Sequence, residues 1–385
     1  MRILFVTHAF PRWSGDVAGA FIFRLARALT RSGLQVHVLA PAAKDVAPRD
    51  TIEGVTVQRF SYAPAEWQTL AYTGTMAEQV GQSWRARIAL SGMLARGAMA
   101  VRRDVATRSP HVVHAHWWFP GAMLALGAPS TLPAVTTLHG SDVRLARRKG
   151  WASALFRRVI ARSTAVTAVS SFLADEARAM APNLRATVEP MPVSVELFTP
   201  GGERQRARFL FVGRLNAQKG VDLLLEALAA SASGARLDLV GDGPDRAALE
   251  ALATRLGIAS RLTFHGERPQ EQLASLYRAA TAVVIPSERE GLGLVAVEAH
   301  LCETPVVAFR SGGLTDVVTD GQTGYLTPPG DVRALSAAMD ALLTRADRGA
   351  ALGRAGRIAA LGHFSPDVVA ARYRAIYERV VSHAA

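Results

Sequence analysis

With 385 residues, 49% of them hydrophobic and 20% charged, the chain is too long for one comfortable core and too apolar to be disordered, so two or three folded domains are expected. Its single cysteine, Cys302, excludes an internal disulfide and suits a reducing compartment. The net charge of +12 is concentrated in residues 1–195, which hold 23 Lys/Arg and 11 Asp/Glu against 21 of each in the remainder; the first half therefore faces something anionic, whether nucleic acid, lipid surface or phosphorylated acceptor.

The opening stretch MRILFVTHAFPRW has an apolar run only from Ile3 to Val6, which reads as a first strand and not as a signal peptide. No stretch reaches the ~18 apolar residues of a membrane span, so the expectation is a soluble, cytoplasmic protein, at most peripheral at the inner face of the membrane. Short apolar runs follow at Val36–Ala40, Val55–Val57, Val112–Ala115, Val135–Leu138 and Val166–Val169. Between them, Phe21–Gly33 has helical spacing and a glycine stop, and Ser170–Ala181 opens on a serine cap. Proline-studded Glu189–Gly202 breaks the rhythm and reads as a linker. The alternation then restarts with Phe209–Val212, Leu237–Val240, Leu262–Phe264, Ala282–Ile285 and Val306–Phe309, and Phe364–Val381 closes the chain as a helix capped by Ser365. Two such series predict two Rossmann-like α/β domains, with parallel sheets facing a central cleft. The boundaries expected are residues 1–195, joined by the C-terminal helix 366–385, and residues 196–365.

Open parallel sheets bind ligands where their strands end, which directs attention to PSEREGLGLVAVEA after the run Ala282–Ile285. A helix beginning near Leu292 or Gly293 puts Glu298 two turns along, roughly 10 Å from the entrance where Glu290 sits. The backbone N–H groups of Gly291, Leu292, Gly293 and Leu294 would form a helix start that receives phosphate, while the carboxylates of Glu290 and Glu298 accept hydrogen bonds from hydroxyls. A ligand with sugar hydroxyls at both ends and phosphates between them fits that pattern. Taken alone, each glutamate reads as a solvated helix charge, and it is the neighbouring motifs that reverse this reading.

The stretch PSEREGLGLVAVEA resembles the E-x7-E signature of retaining glycosyltransferases of family 4, which have the GT-B fold. FVGRLNAQKGVDLLLEA, LVGDGPDRAALE and SGGLTDVVTDGQTGYLTPPGD resemble further segments of the same family, and THAFPRWSGDVAGAF, HVVHAHWWFPG and TTLHGSD match it more loosely. The resemblance implies an N-terminal acceptor-binding domain and a C-terminal domain that binds a nucleoside-diphosphate sugar. It assigns Arg214 and Lys219 to the donor diphosphate, where cations would neutralise the departing charge. It assigns Glu298 to ribose hydroxyls, Glu290 to hydroxyls of the donor sugar, and His139 to that sugar from the other domain. Gly19 would let backbone approach the diphosphate, and Gly241 and Arg268 would lie on loops lining the nucleoside. The implied reaction is metal-independent and cofactor-free, with UDP before GDP as the nucleotide. Lacking an evident nucleophile, it implies front-face substitution in which the leaving phosphate helps deprotonate the acceptor. Glu303, Asp316 and the loop SGDVAGA depart from the family pattern, the last bearing on acceptor geometry.

His114 and His116 alternate on a strand and could suggest a metal, but no third ligand recommends itself. Arg144–Ser163 reads as one helix with Trp151, Leu155, Phe156, Val159 and Ile160 on a shared face and Arg157, Arg158 and Arg162 elsewhere, which makes an anionic membrane surface a candidate partner. Aromatic residues in Tyr62–Trp84 would border an acceptor that is a glycan, lipid-linked or a small molecule. Two other classes remain in view. A Rossmann-type nucleotide-dependent oxidoreductase would want G-x-G-x-x-G after the first strand, which THAFPRWSGDVAGA does not supply. A nucleic-acid-binding protein would explain the basic half but lacks a recognition motif, so no nucleic acid partner is expected.

Overall fold

Short apolar runs that are buried on both faces become parallel strands, because only a sheet covered by helices on each side keeps them dry. The computed structural model describes residues 1–148, 150–344 and 346–383. The chain divides into two compact units: Met1–Pro192 with Pro366–Ala385, and Val193–Ser365.

The first unit is built on β1 (Arg2–Val6), β2 (Gln35–Pro41), β3 (Arg49–Ile52), β4 (Val55–Phe60), β5 (Val112–His116), β6 (Ala134–Leu138), β7 (Ala165–Ala168) and β8 (Ala186–Val188). They form one sheet in the order β3-β4-β2-β1-β5-β6-β7-β8. All neighbours run parallel except β3, which pairs antiparallel with β4 at the edge. The run RDTI of β3 has only Ile52 buried, so it carries no apolar pattern by which it could be read. The second unit holds β9 (Arg208–Val212), β10 (Arg236–Val240), β11 (Leu262–Gly266), β12 (Ala282–Ile285), β13 (Val306–Phe309) and β14 (Gly324–Thr327), in the order β11-β10-β9-β12-β13-β14. Every pairing in it is parallel. The four residues of β12 are all buried, Val283, Val284 and Ile285 each contributing about 1.5–3 kcal/mol on burial.

The passage Glu189–Gly202, read as the linker, contains the division between the units at Pro192 and Val193, and it is packed: Met191, Val193 and Phe198 are buried, and Phe198 meets the Tyr277 ring edge-on at 5.7 Å between centroids. Around Arg144–Ser163 the described residues are helical over Ser141–Arg148 and Gly150–Ile160, and Lys149 lies outside the described residues. Phe156, Val159 and Ile160 are buried, whereas Trp151 is 61% exposed and so leaves the face it was expected to share with them. Finally, the helix bearing Glu298 begins at Leu294, later than expected, since Gly293 stands before it in a left-handed conformation.

The C-terminal helix Pro366–Ser382 closes the first unit with side chains as well as packing. Its Tyr377 hydroxyl lies 2.7 Å from His114 Nδ1, and His114 Nε2 lies 2.7 Å from Thr137 Oγ1 on β6. Thr137 in turn meets Thr167 Oγ1 on β7 at 2.6 Å and the Tyr373 hydroxyl at 3.3 Å. A buried polar group left unpaired would cost about 1–3 kcal/mol, and here both ring nitrogens of His114 have partners. Burial pushes the His114 imidazole down to about 3 from 6.5, and that of His8 down to about 4. The unfolded chain therefore takes up protons near pH 6.5 that the folded chain refuses, so stability is complete above that value and is lost as pH falls from 6.5 toward 4. All six tryptophans lie in this unit, so their fluorescence reports on it alone. Urea titrations followed by tryptophan emission should show a midpoint that falls steadily across this window. In His114→Asn the slope should be shallower, and an identical slope would contradict the assignment.

Candidate active site

Four loops at the carboxyl ends of strands in the second unit are drawn together by glycines. The loop after β9 passes through a short turn, Ala217–Lys219, and reaches Gly220 with φ +61°. A Cβ at Gly220 would collide with the Pro286 carbonyl just beyond β12, so only glycine allows this approach. The Glu288 N–H donates to the Gln218 carbonyl at 3.1 Å and fixes the same pair of loops. From the other side comes the loop after β13. Gly312, with φ +57°, lies so close that a Cβ would stand 2.6 Å from the Glu290 nitrogen. Gly313 N–H donates to the Glu290 carbonyl at 2.8 Å, and Arg289 N–H donates to Ser311 Oγ at 2.9 Å. The loop after β10 is held likewise, because a Cβ on Gly241 (φ +124°) would strike the Gly213 carbonyl.

The consequence is a fixed carboxylate. Glu290, held through its backbone, forms an ion pair with Lys219, and both side chains are largely buried. Glu298 lies on the helix Leu294–Leu301 and is 7% exposed; the Tyr277 hydroxyl donates to its Oε2 at 2.8 Å. Burial, and then the charge of Glu298, hold the Tyr277 hydroxyl well above its ordinary range, so it remains a donor. Gly291 is half-buried and Leu292 buried, Gly293 caps the helix, and Leu294 is its first residue. First-turn N–H groups at such a start lack intrahelical partners. Ser287 Oγ and Asn216 Oδ1 are buried at the same loops with no hydrogen-bond partner, as expected of atoms that a ligand satisfies. Arg214 follows β9 exposed, its guanidinium in no hydrogen bond or ion pair among the described residues. Arg268 is exposed just before the helix Gln270–Ala279, and among the described residues no hydrogen bond or ion pair joins it to Glu290 or Lys219.

In the first unit His139 follows β6, half-buried, with its Nε2 3.2 Å from His116 Nδ1. The Trp117 ring lies 4.4 Å and the Phe21 ring 5.2 Å from it, centroid to centroid. Burial holds both imidazoles far below their ordinary range, so both are neutral at physiological pH. The loop's backbone is organised by Asp142, which is 2% exposed. Its Oδ1 accepts from the N–H of His139 (3.1 Å), Gly140 (2.9 Å) and Val143 (3.0 Å), and its Oδ2 accepts from Trp118 N–H (3.0 Å). Gly19 precedes the helix Ala20–Arg31 with φ +68°, and a Cβ there would strike the Ala9 carbonyl. The intervening loop is clamped by Asp16, whose carboxylate takes two hydrogen bonds from the Arg12 guanidinium, at 2.6 and 3.1 Å. His114 and His116 are buried, and no group of three or more His, Cys, Asp or Glu among the described residues is arranged to hold a metal.

Comparison with known proteins settles the family. The family model "Glycosyl transferases group 1" matches residues 198–358, and "Glycosyltransferase Family 4" matches residues 18–197. The D-inositol 3-phosphate glycosyltransferase of Acidothermus cellulolyticus is 32% identical over 371 residues, covering 86% of this chain and 79% of that one. The chain belongs to the family-4 glycosyltransferases. The enzyme of the same name from Geodermatophilus obscurus is 33% identical over 380 residues, covering 87% and 79%. Among solved structures, sucrose-phosphate synthase from Thermosynechococcus elongatus superposes with a TM-score of 0.82 at 22% identity over the whole of both chains. Anabaena HepE in complex with UDP gives 0.74 at 20% identity, covering 98% and 100%. The fold of this glycosyltransferase is GT-B.

Several residues of this glycosyltransferase that shape the loops escape a reading based on charge alone. Gly220 and Gly312 work by having no side chain, and their only signals are the pairs KG and GG beside charged residues. Asp142 stands three residues after His139 in HGSD, a spacing that suits a carboxylate collecting loop N–H groups. Tyr277 is 21 residues from Glu298, and no local pattern links them.

Proposed function

We propose that this glycosyltransferase moves a sugar, with retention, from a nucleoside-diphosphate sugar to an acceptor hydroxyl, with UDP as the nucleotide. The observation that carries this reading is the Lys219–Glu290 pair clamped beside the start of the Glu298 helix. It offers a cation and a helix start for a diphosphate and carboxylates for hydroxyls. HepE was solved with UDP and with UDP-glucose, which supports uridine over guanosine. The relatives are named for D-inositol 3-phosphate, which favours a phosphorylated small molecule as acceptor and gives the basic first half a use.

In this reading Glu298 takes the ribose hydroxyls and Glu290 those of the sugar. Gly241 and Arg268 line the nucleoside, and Gly19 brings backbone to the diphosphate. His139 contacts the donor sugar. As the bond from the anomeric carbon to phosphate breaks, the acceptor oxygen bonds that carbon on the same face, and its proton passes to the departing phosphate oxygen. Arg214 and Lys219 neutralise the charge left there, so no divalent ion is required. Arg214→Ala or Lys219→Ala should each lower turnover by at least about a hundredfold, roughly 2–4 kcal/mol of transition-state stabilisation, with melting little changed. Donor hydrolysis and transfer, with and without EDTA, measure this. Near-normal turnover in both variants would refute the donor assignment, and loss with EDTA that Mg²⁺ restores would refute metal independence.

A second feature favours attachment to an anionic surface. On the helix Trp84–Arg108, Trp84, Ile88 and Met99 are 59%, 53% and 61% exposed, and with Ala95 they recur at helical spacing along one face. Arg85, Arg96 and Arg103 are exposed on the adjoining flank, and the helix's acid, Asp104, is buried. An apolar stripe flanked by arginines suits the interface of an anionic bilayer, each arginine adding on the order of 1 kcal/mol. Among the described residues, no helix is long and apolar enough to cross a membrane. Co-sedimentation with vesicles should require anionic lipid and weaken with salt. Neutralising Arg85, Arg96 and Arg103 to glutamine should reduce it more than neutralising Arg157, Arg158 and Arg162. A parent protein that ignores anionic vesicles at low salt would exclude this attachment.

A further inference from the structure

His116 and His139 share one hydrogen bond between two neutral rings, and the surroundings decide which ring holds its proton. His116 is fully buried on β5, with the Phe5 ring 4.9 Å and the His114 ring 4.2 Å from it, centroid to centroid. Its Nδ1 lies 3.2 Å from His139 Nε2, while its own Nε2 is buried without any partner. Were the proton on His116 Nε2, a buried N–H would be left with no acceptor, the less tolerated of the two outcomes. With the proton on Nδ1, that N–H is satisfied by His139, and only a lone pair remains unpaired at Nε2. His139 Nε2 must then accept, which leaves its own proton on Nδ1. No hydrogen bond engages that Nδ1 among the described residues.

We infer that His116 is a positioning residue that fixes His139 in the Nδ1–H form, so that His139 presents a hydrogen-bond donor, not an acceptor, to the donor sugar. Which oxygen it meets rests on the function proposed above, but the protonation pattern does not. The sheet supplies the rigidity. His116 ends β5, which lies beside β6, the strand leading to His139. Two residues earlier on the same strand, His114 is tied by Tyr377 and Thr137. The Asp142 carboxylate meanwhile holds the His139 backbone, so the imidazole has one hinge and one fixed neighbour.

The test separates the two levels. Long-range 1H–15N spectra of the full chain labelled at histidine, with His139 assigned by its disappearance in His139→Gln, report which nitrogen carries the proton without any substrate. The parent should show His139 protonated at Nδ1. His116→Asn, whose amide nitrogen can stand near the position of Nδ1, should retain that pattern and keep turnover within about threefold of the parent. In His116→Gln, whose amide reaches further, the pattern should revert to Nε2–H and kcat should fall at least about tenfold. An Nε2–H pattern for His139 in the parent overturns the inference, whether or not any variant folds. A changed pattern in His116→Gln with unchanged turnover overturns the role in the reaction. Absence of donor hydrolysis by the parent would count against the proposed function alone, leaving the protonation result to stand or fall by its spectrum.

Discussion

The site in the second unit depends on how closely backbone can approach backbone. Lys219 and Glu290 are 71 residues apart in sequence, and they meet because Gly220 lies against the Pro286 carbonyl and Gly312 against Glu290 itself. Glycine disfavours folded structure through its entropy, typically by 0.5–1 kcal/mol relative to alanine in regular elements. At these positions an added Cβ would overlap backbone atoms, which side-chain rotation cannot relieve. The lost entropy is therefore offset by contacts that no other residue permits, and the charged pair inherits its geometry from them.

The first unit achieves fixity by another route. There the constraint is satisfaction of buried polar groups: Asp142 accepts four backbone N–H bonds, and His114 is bonded at both nitrogens. Burial raises the Asp142 carboxyl above its ordinary range even though all four N–H groups oppose the shift. Since all four of its donors are backbone N–H groups, its role is to gather loop backbone. The histidines likewise stay neutral through burial, which makes them directional hydrogen-bonding groups in place of cations.

Much of the fold could be read from the sequence because its strands are short continuous apolar runs separated by helical segments. Val112–Ala115 and Ala282–Ile285 were bounded to within a residue by that pattern alone. The edge strand Arg49–Ile52 was not, because three of its four side chains face water. Trp151 was placed by helical period on one face with Phe156, Val159 and Ile160, which are buried, yet its own ring is exposed. Within the candidate site, Glu290 and Lys219 were legible as charges beside strand ends. Their contact was not, since it is set by glycines whose function lies in the atoms they lack. Tyr277 and Asp142 were hidden for a related reason: one acts on Glu298 from a different helix, and the other through backbone N–H groups that carry no side-chain signature.

The central claim is that the loops around Lys219, Glu290 and the Glu298 helix receive a nucleoside diphosphate. Calorimetric titration of UDP into the full chain, beside a Glu298→Ala variant of unchanged melting temperature, addresses it without requiring an acceptor. The account predicts saturable one-to-one binding by the parent and an affinity at least about tenfold lower in the variant, a loss of about 1.4 kcal/mol. Equal affinity in the two proteins, or no heat of binding from the parent at millimolar UDP, would contradict it.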